Sequence, residues 1–148
     1  MTSYEGEGKV FMITKGFDEV DQSDKEQILN HDIMDSLNKF IGSDPFAQYL
    51  SEYLQNTMKN IERIGLAVAS RDDVRIRHLA HKLKGSSGNI GALKLAWNCM
   101  QLEATTVEEK SEDVVCKQFN ELESVFQDTK TAIESYIENL PVSHPNVA

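Results

Sequence analysis

The sequence predicts an all-α protein: an up-and-down antiparallel four-helix bundle with a short additional helix at its N-terminal end. Three observations predict it. Apolar residues recur at three- and four-residue spacing from about residue 23 to residue 140. Helix-starting and helix-stopping residues interrupt that pattern and leave only short links, so neighbours in sequence should pack antiparallel. Strand signals are nearly absent, with no sustained period-two run and no Asn-Gly or Asp-Gly turn.

Residues 1–22 hold Gly6, Gly8 and Gly16 without a helical period. They read as a tail, with one short ordered piece around Val10–Ile13. Ser23 with Glu26 three later fits a capping box and opens a first helix carrying Ile28, Ile33, Leu37 and Phe40. Gly42 stops it. Asp44 then caps a second helix with Pro45 at its first position. Phe46, Leu50, Leu54, Met58, Ile61 and Leu66 give that helix an apolar stripe running to about Ser70. Asp72 or Asp73 starts a third helix, with Ile76, Leu79, Leu83 and Ser87 on one side, and Gly88 and Gly91 end or loosen it. Leu95, Ala96, Cys99 and Leu102 mark a fourth. The last begins near Ser111, carries Val115, Phe119, Leu122, Phe126, Ile133, Tyr136 and Leu140, and stops at Pro141. The folded domain therefore reads as 23–140, with a polar tail at 141–148.

Composition narrows the function. A chain of 148 residues supports one domain with one core. A formal net charge of -9 repels phosphate backbones and argues against a nucleic-acid partner. No apolar run approaches the ~20 residues needed to span a bilayer, and the N-terminus lacks a signal peptide's basic start and apolar core. Cys99 and Cys116 are too few for a disulfide framework and lack metal-site spacing, so a reducing, cytoplasmic setting is expected, with the chain a monomer.

The stretch "HLAHKLKGSSGNIGALK" carries the chemistry. On a helical wheel Ile76, Leu79, Ala80, Leu83, Ser87 and Ile90 cluster within roughly a third of the circle, and His81 points about 155° away from their centre. Its neighbours on that outer face are Arg77, Lys84, Gly85 and Gly88. Glycine in a helix interior costs ~1 kcal/mol relative to alanine. Two on an outer face would clear room for a partner beside the imidazole. Arg77 and Lys84 add positive charge on an acidic protein, which suits an arriving anion such as a phosphoryl group. Imidazole, with an ordinary pKa of ~6.5, is a good nucleophile near neutral pH. Phosphoryl transfer asks mostly for positioning and charge neutralisation.

Plainer readings stand beside this one. A lone exposed histidine is usually a surface residue. Ser86 and Ser87 read as small residues bonding the preceding turn. His78 and His81 at i,i+3 lack an evident third ligand, so no metal site is expected. His31 and His144 read as surface residues, Trp97 as packing, and Phe46, Tyr49 and Tyr53 as core or rim. Glu108, Glu109, Glu112 and Asp113 read as the solvated start of the last helix. No Walker loop is present, and the glycines of "KGSSGNIG" follow no strand, so phosphate should not come directly from ATP. The alternatives to phosphotransfer are a non-catalytic helical module that binds a partner, and a small metal-binding bundle.

The segment "HLAHKLKGSSGNIGALKLAWNCMQLE" closely resembles the histidine-containing phosphotransfer (HPt) domain of multistep two-component signalling. The family pattern is His, any residue, Leu-Lys-Gly-Ser, then a small stretch ending in an aliphatic residue and Gly. His81, Leu83, Lys84, Gly85, Ser86, Ile90 and Gly91 match it. The resemblance implies that His81 accepts a phosphoryl group from an aspartyl phosphate on a receiver domain and returns it to another receiver's Asp. Receivers belong to response regulators and hybrid histidine kinases; they would bring the Mg²⁺, so this chain needs no cofactor. It further implies that Lys84 stabilises charge, that Gly85 gives the receiver clearance, and that Arg77, His78, Ser86 and Gly88 border the docking area. In the family a polar residue on the following helix steadies the imidazole. Alignment puts Glu103 there, with Gln101 as the second choice. The chain is expected to be a free-standing shuttle or one module of a larger kinase.

Overall fold

A computed structural model of the chain describes residues 26–141. Among the described residues are five α-helices: α1 (His31–Ile41), α2 (Ser43–Ala69), α3 (Asp73–Ile90), α4 (Leu93–Val107) and α5 (Glu112–Glu138). There is no strand among the described residues. The expected ordered piece around Val10–Ile13, Ser23 and His144 lie outside them. Helices α2 to α5 form a ring in which α2 packs on α3 and α5, and α4 packs on α3 and α5. The shorter α1 lies against α2 and α3. This is the predicted four-helix bundle with its additional short helix.

Side-chain caps set three of the helix starts. Asp72 accepts from the Arg75 N–H, Ser111 from Val114 and Asn30 from Ile33, contacts worth ~1 kcal/mol each. The core takes one stripe from each long helix: Phe46, Leu50 and Ile64 of α2, Ile76 and Leu83 of α3, Leu95 and Leu102 of α4, and Leu122 and Ile133 of α5.

Some of the expected boundaries and burials move. The helix that carries Ile33 and Leu37 starts at His31 with Asn30 as its cap, so Glu26 and Ile28 of the expected first helix precede it. The reason is a pair of backbone bonds that hold the approach to α1 against the corner between α3 and α4. The Asn30 N–H donates to the Gly91 carbonyl at 2.8 Å, and the Lys94 N–H donates to the Gln27 carbonyl at 2.6 Å. A helix through residues 27–30 would have to surrender both. α2 begins at Ser43 with Gly42 as its cap (φ 101°), so Asp44 sits in the first turn. Gly88 lies within α3, and Gly91 alone ends it. Three residues of the predicted stripes face outward: Phe40 is 89% exposed, Leu66 73% and Met58 44%. Phe40 falls in the last turn of a helix that buries only Ile33 and Met34, while Leu66 and Met58 border a groove between α2 and α5.

The α3–α4 corner is two residues long. Gly91 adopts the left-handed conformation (φ 91°, ψ 12°), and the Ala92 N–H returns to the Ser87 carbonyl at 2.9 Å, a helix-ending turn that glycine adopts without steric cost. A Cβ added to Gly91 would lie 3.0 Å from the Asn30 carbonyl oxygen and 3.3 Å from Ile33 Cβ. Gly91→Ala should therefore lose ~1–3 kcal/mol of unfolding free energy in urea titrations. A variant as stable as the parent would show that the corner tolerates the side chain.

Candidate functional site

The corner fixes the register of α3 against α4. His81 lies ten residues before Gly91, and Glu103 lies eleven after Ala92. At ~1.5 Å per residue both stand about 15 Å from the turn, on antiparallel helices. The structure brings them together: His81 Nδ1 is 3.0 Å from Glu103 Oε2. The other carboxylate oxygen of Glu103, Oε1, lies 3.8 Å from Lys84 Nζ. One carboxylate thus bridges the imidazole and the ammonium. Gln101, the second choice, makes no such contact with His81; its backbone carbonyl accepts from the Thr105 hydroxyl.

Exposure differs sharply across this trio. The His81 side chain is 64% exposed, whereas that of Lys84 is 13% exposed. The wheel's placement of His81 on the outer face therefore holds, but Lys84 lies flat between the helices with its charge directed at Glu103. The glycines also differ from expectation. Gly85 and Gly88 are buried, although on the wheel they share the side of the helix that carries exposed His81. They do not form an open landing area. Arg77 is half-buried, and its Nε has no hydrogen-bond partner. His78 and Lys82 are exposed on α3 beside His81. Ser86 is half-buried and donates to the Leu83 carbonyl, the plain helical role. Among the described residues no group of three His, Cys, Asp or Glu side chains is placed to hold a metal.

Two buried features below this surface go beyond the sequence reading, which had Ser87 bonding its own preceding turn. The Tyr53 hydroxyl of α2 and Ser87 Oγ of α3 are 2.6 Å apart, both side chains buried. The signal was available: Ser87 falls in the apolar stripe of its helix, and a buried hydroxyl needs a partner. Cys99 lies fully buried on α4. Burial pushes its thiol up, and the Glu103 carboxylate adds to the rise while Lys84 opposes it. At the far end of the bundle the Tyr136 hydroxyl donates to Asp35 at 2.7 Å, and His31 packs its ring 5.8 Å from that of Tyr136.

Burial likewise pushes the Tyr53 phenol above its ordinary value, with the Ser87 bond opposing, and Tyr136 is raised by burial and by Asp35. A phenol whose pKa is raised on folding contributes its full stability below the unfolded value of ~10 and loses it as pH rises through the folded value. Urea midpoints should therefore fall above about pH 10, and Tyr53→Phe should make that fall shallower. An unchanged alkaline slope in the variant would exclude Tyr53 as a source.

Comparison with known proteins agrees with this architecture. The family model of the Hpt domain matches residues 48–140, well over half of the chain. No curated protein matches. Histidine-containing phosphotransfer protein B from Pseudomonas aeruginosa superimposes with a TM-score of 0.69 at 21% identity, over 76% of this chain and 96% of that one. A candidate histidine-containing phosphotransfer protein from rice gives 0.66 at 16% identity, over 85% and 90%. At these identities the likeness is one of fold, and the family match carries the assignment. The chain belongs to the Hpt domain family, and its role is histidine phosphotransfer in a phosphorelay.

Proposed function

We propose that His81 is the phosphoryl acceptor, taking the group from an aspartyl phosphate of one receiver domain and passing it to the Asp of another. The observation that carries this reading is the orientation of the ring. Nδ1 faces Glu103 at 3.0 Å, and the side chain is otherwise largely open to solvent. In the neutral tautomer with its proton on Nδ1, the ring donates to Glu103 and leaves the Nε2 lone pair outward.

The transfer then runs as an in-line displacement. Nε2 attacks phosphorus, the bond from phosphorus to the donor's carboxylate oxygen breaks, and the carboxylate leaves with the electron pair. The proton stays on Nδ1. The ring gains positive charge as the N–P bond forms, and Glu103 is placed to stabilise it. The reverse sequence delivers the group to the second receiver. Lys84 enters chiefly by steadying the Glu103 carboxylate, since most of its side chain is covered. Exposed His78 and Lys82, with Arg77 behind them, border the surface on which a receiver would land. On this reading the receiver brings Mg²⁺ and its own acidic pocket, and this chain supplies only the nucleophile and its support. Among the described residues no helix is long and apolar enough to cross a membrane.

Incubation with a phosphorylated receiver and mass spectrometry test the acceptor directly. His81→Gln should abolish acid-labile, base-stable labelling with the helical circular dichroism unchanged. Label that persists would move the acceptor elsewhere.

The support is tested separately. Glu103→Gln keeps an acceptor oxygen but removes the charge, and should slow single-turnover transfer by about 10–100-fold. Lys84→Ala should slow it less, by ~10-fold at most. Ring ¹⁵N shifts report the tautomer, and Glu103→Leu should shift the population from the Nδ1–H form. A parent-like tautomer and rate in that variant would deny Glu103 an orienting role.

A further inference from the structure

A second surface stands apart from His81. Between α2 and α5 runs a groove of about 510 Å³, formed by Met58, Ile61, Gly65, Leu66, Phe119 and Phe126. Two of its walls are apolar side chains left in water, Leu66 and Met58. Its floor depends on Gly65: a Cβ there would stand 3.0 Å from Phe119 Cζ, so any larger residue would force the ring to move. Glu62 of α2 and Glu123 of α5 also line the groove, and neither has an ion-pair partner among the described residues. In the ring of helices the α2–α5 edge lies opposite the α3–α4 edge that holds His81 and Glu103. A partner seated in the groove leaves the phosphotransfer face open.

We propose that this groove is a docking site for a basic amphipathic helix. Such a helix would set one or two bulky apolar side chains between Met58, Leu66 and Phe119, and Lys or Arg against Glu62 and Glu123. Soft, unbranched Met58 lets the wall adapt to the inserted side chain. Apolar anchors supply the affinity, and the flanking carboxylates select the charge of the partner and speed its arrival. A second copy of this chain fits poorly. Its net charge is -9, and pairing groove on groove would bring the same glutamates of both copies together. The surface owes nothing to the assignment of His81.

The full chain can be titrated with a fluorescent Leu/Lys amphipathic peptide of about five helical turns, and with a Leu/Glu peptide of identical apolar face. The expected result is one-to-one binding of the basic peptide only. Amide shifts should centre on Met58, Leu66 and Phe119. Met58→Ser with Leu66→Ser alters no charge and replaces exposed side chains, so the fold should survive, yet binding should weaken by ~10-fold or more. Glu62→Lys with Glu123→Lys should weaken it likewise. The proposal is overturned by absence of saturable binding, by equal binding of the acidic peptide, or by shifts spread over the outer face of α5 away from the groove. Self-association that Leu66→Ser dissolves would replace it with a dimer interface.

Discussion

The two-residue corner at Gly91 and Ala92 is the constraint on which the site depends. It is tight enough to fix the register of α3 on α4, and register alone decides which residue of α4 faces His81. One residue more in the link would rotate and shift α4, and the Glu103 carboxylate would no longer meet Nδ1 and the Lys84 ammonium together. The same corner also holds the approach to α1, through the bonds from Asn30 to Gly91 and from Lys94 to Gln27. A single left-handed glycine thus positions both the short additional helix and the functional pair.

Much of this was legible in the sequence because helices announce themselves through periodicity and caps. Asp72 and Ser111 start their helices where the pattern placed them, and the wheel put His81 outward. Three kinds of information were not local. The start of α1 is decided by backbone bonds to residues some sixty positions away, which no capping pattern around Ser23 can express. The burial of Gly85 and Gly88 depends on how the neighbouring elements close over α3, whereas a wheel treats the helix as if it had one buried face. Lys84 looked like a free cation because sequence gives spacing along a helix and not the path of a long side chain, which here folds against α4. The pairing of Glu103 with His81 is a register effect, and alignment to a family could point at it where periodicity could not.

Charge is distributed to match these demands. The chain carries a large acidic excess, yet α3, the helix that carries exposed His78 and His81, gathers Arg75, Arg77, Lys82 and Lys84. Lys84 is engaged inside, with Glu103, and Lys82 lies in solvent. Under the proposed function, neutralisation within the site and attraction of a partner to it fall to different side chains. Helix propensity is sacrificed in the same stretch, where two glycines and two serines precede the corner; the packing of α3 on α4 offsets that weakness. Buried small residues let the two helices close, and closure holds the carboxylate in place.

Cys99 gives this helix pair an internal clock. Its thiol is fully buried close enough to Glu103 and Lys84 to sense both charges, and burial holds it protonated. A thiol in that state neither alkylates nor oxidises until the packing around α4 opens. Half-buried Cys116 on α5 offers a contrasting thiol in the same chain. The rate at which Cys99 becomes modified in the native protein then measures how often this packing opens, in the way that amide exchange measures the opening of a backbone. The His81–Glu103 contact and the protection of the thiol both depend on α4 staying packed against its neighbours.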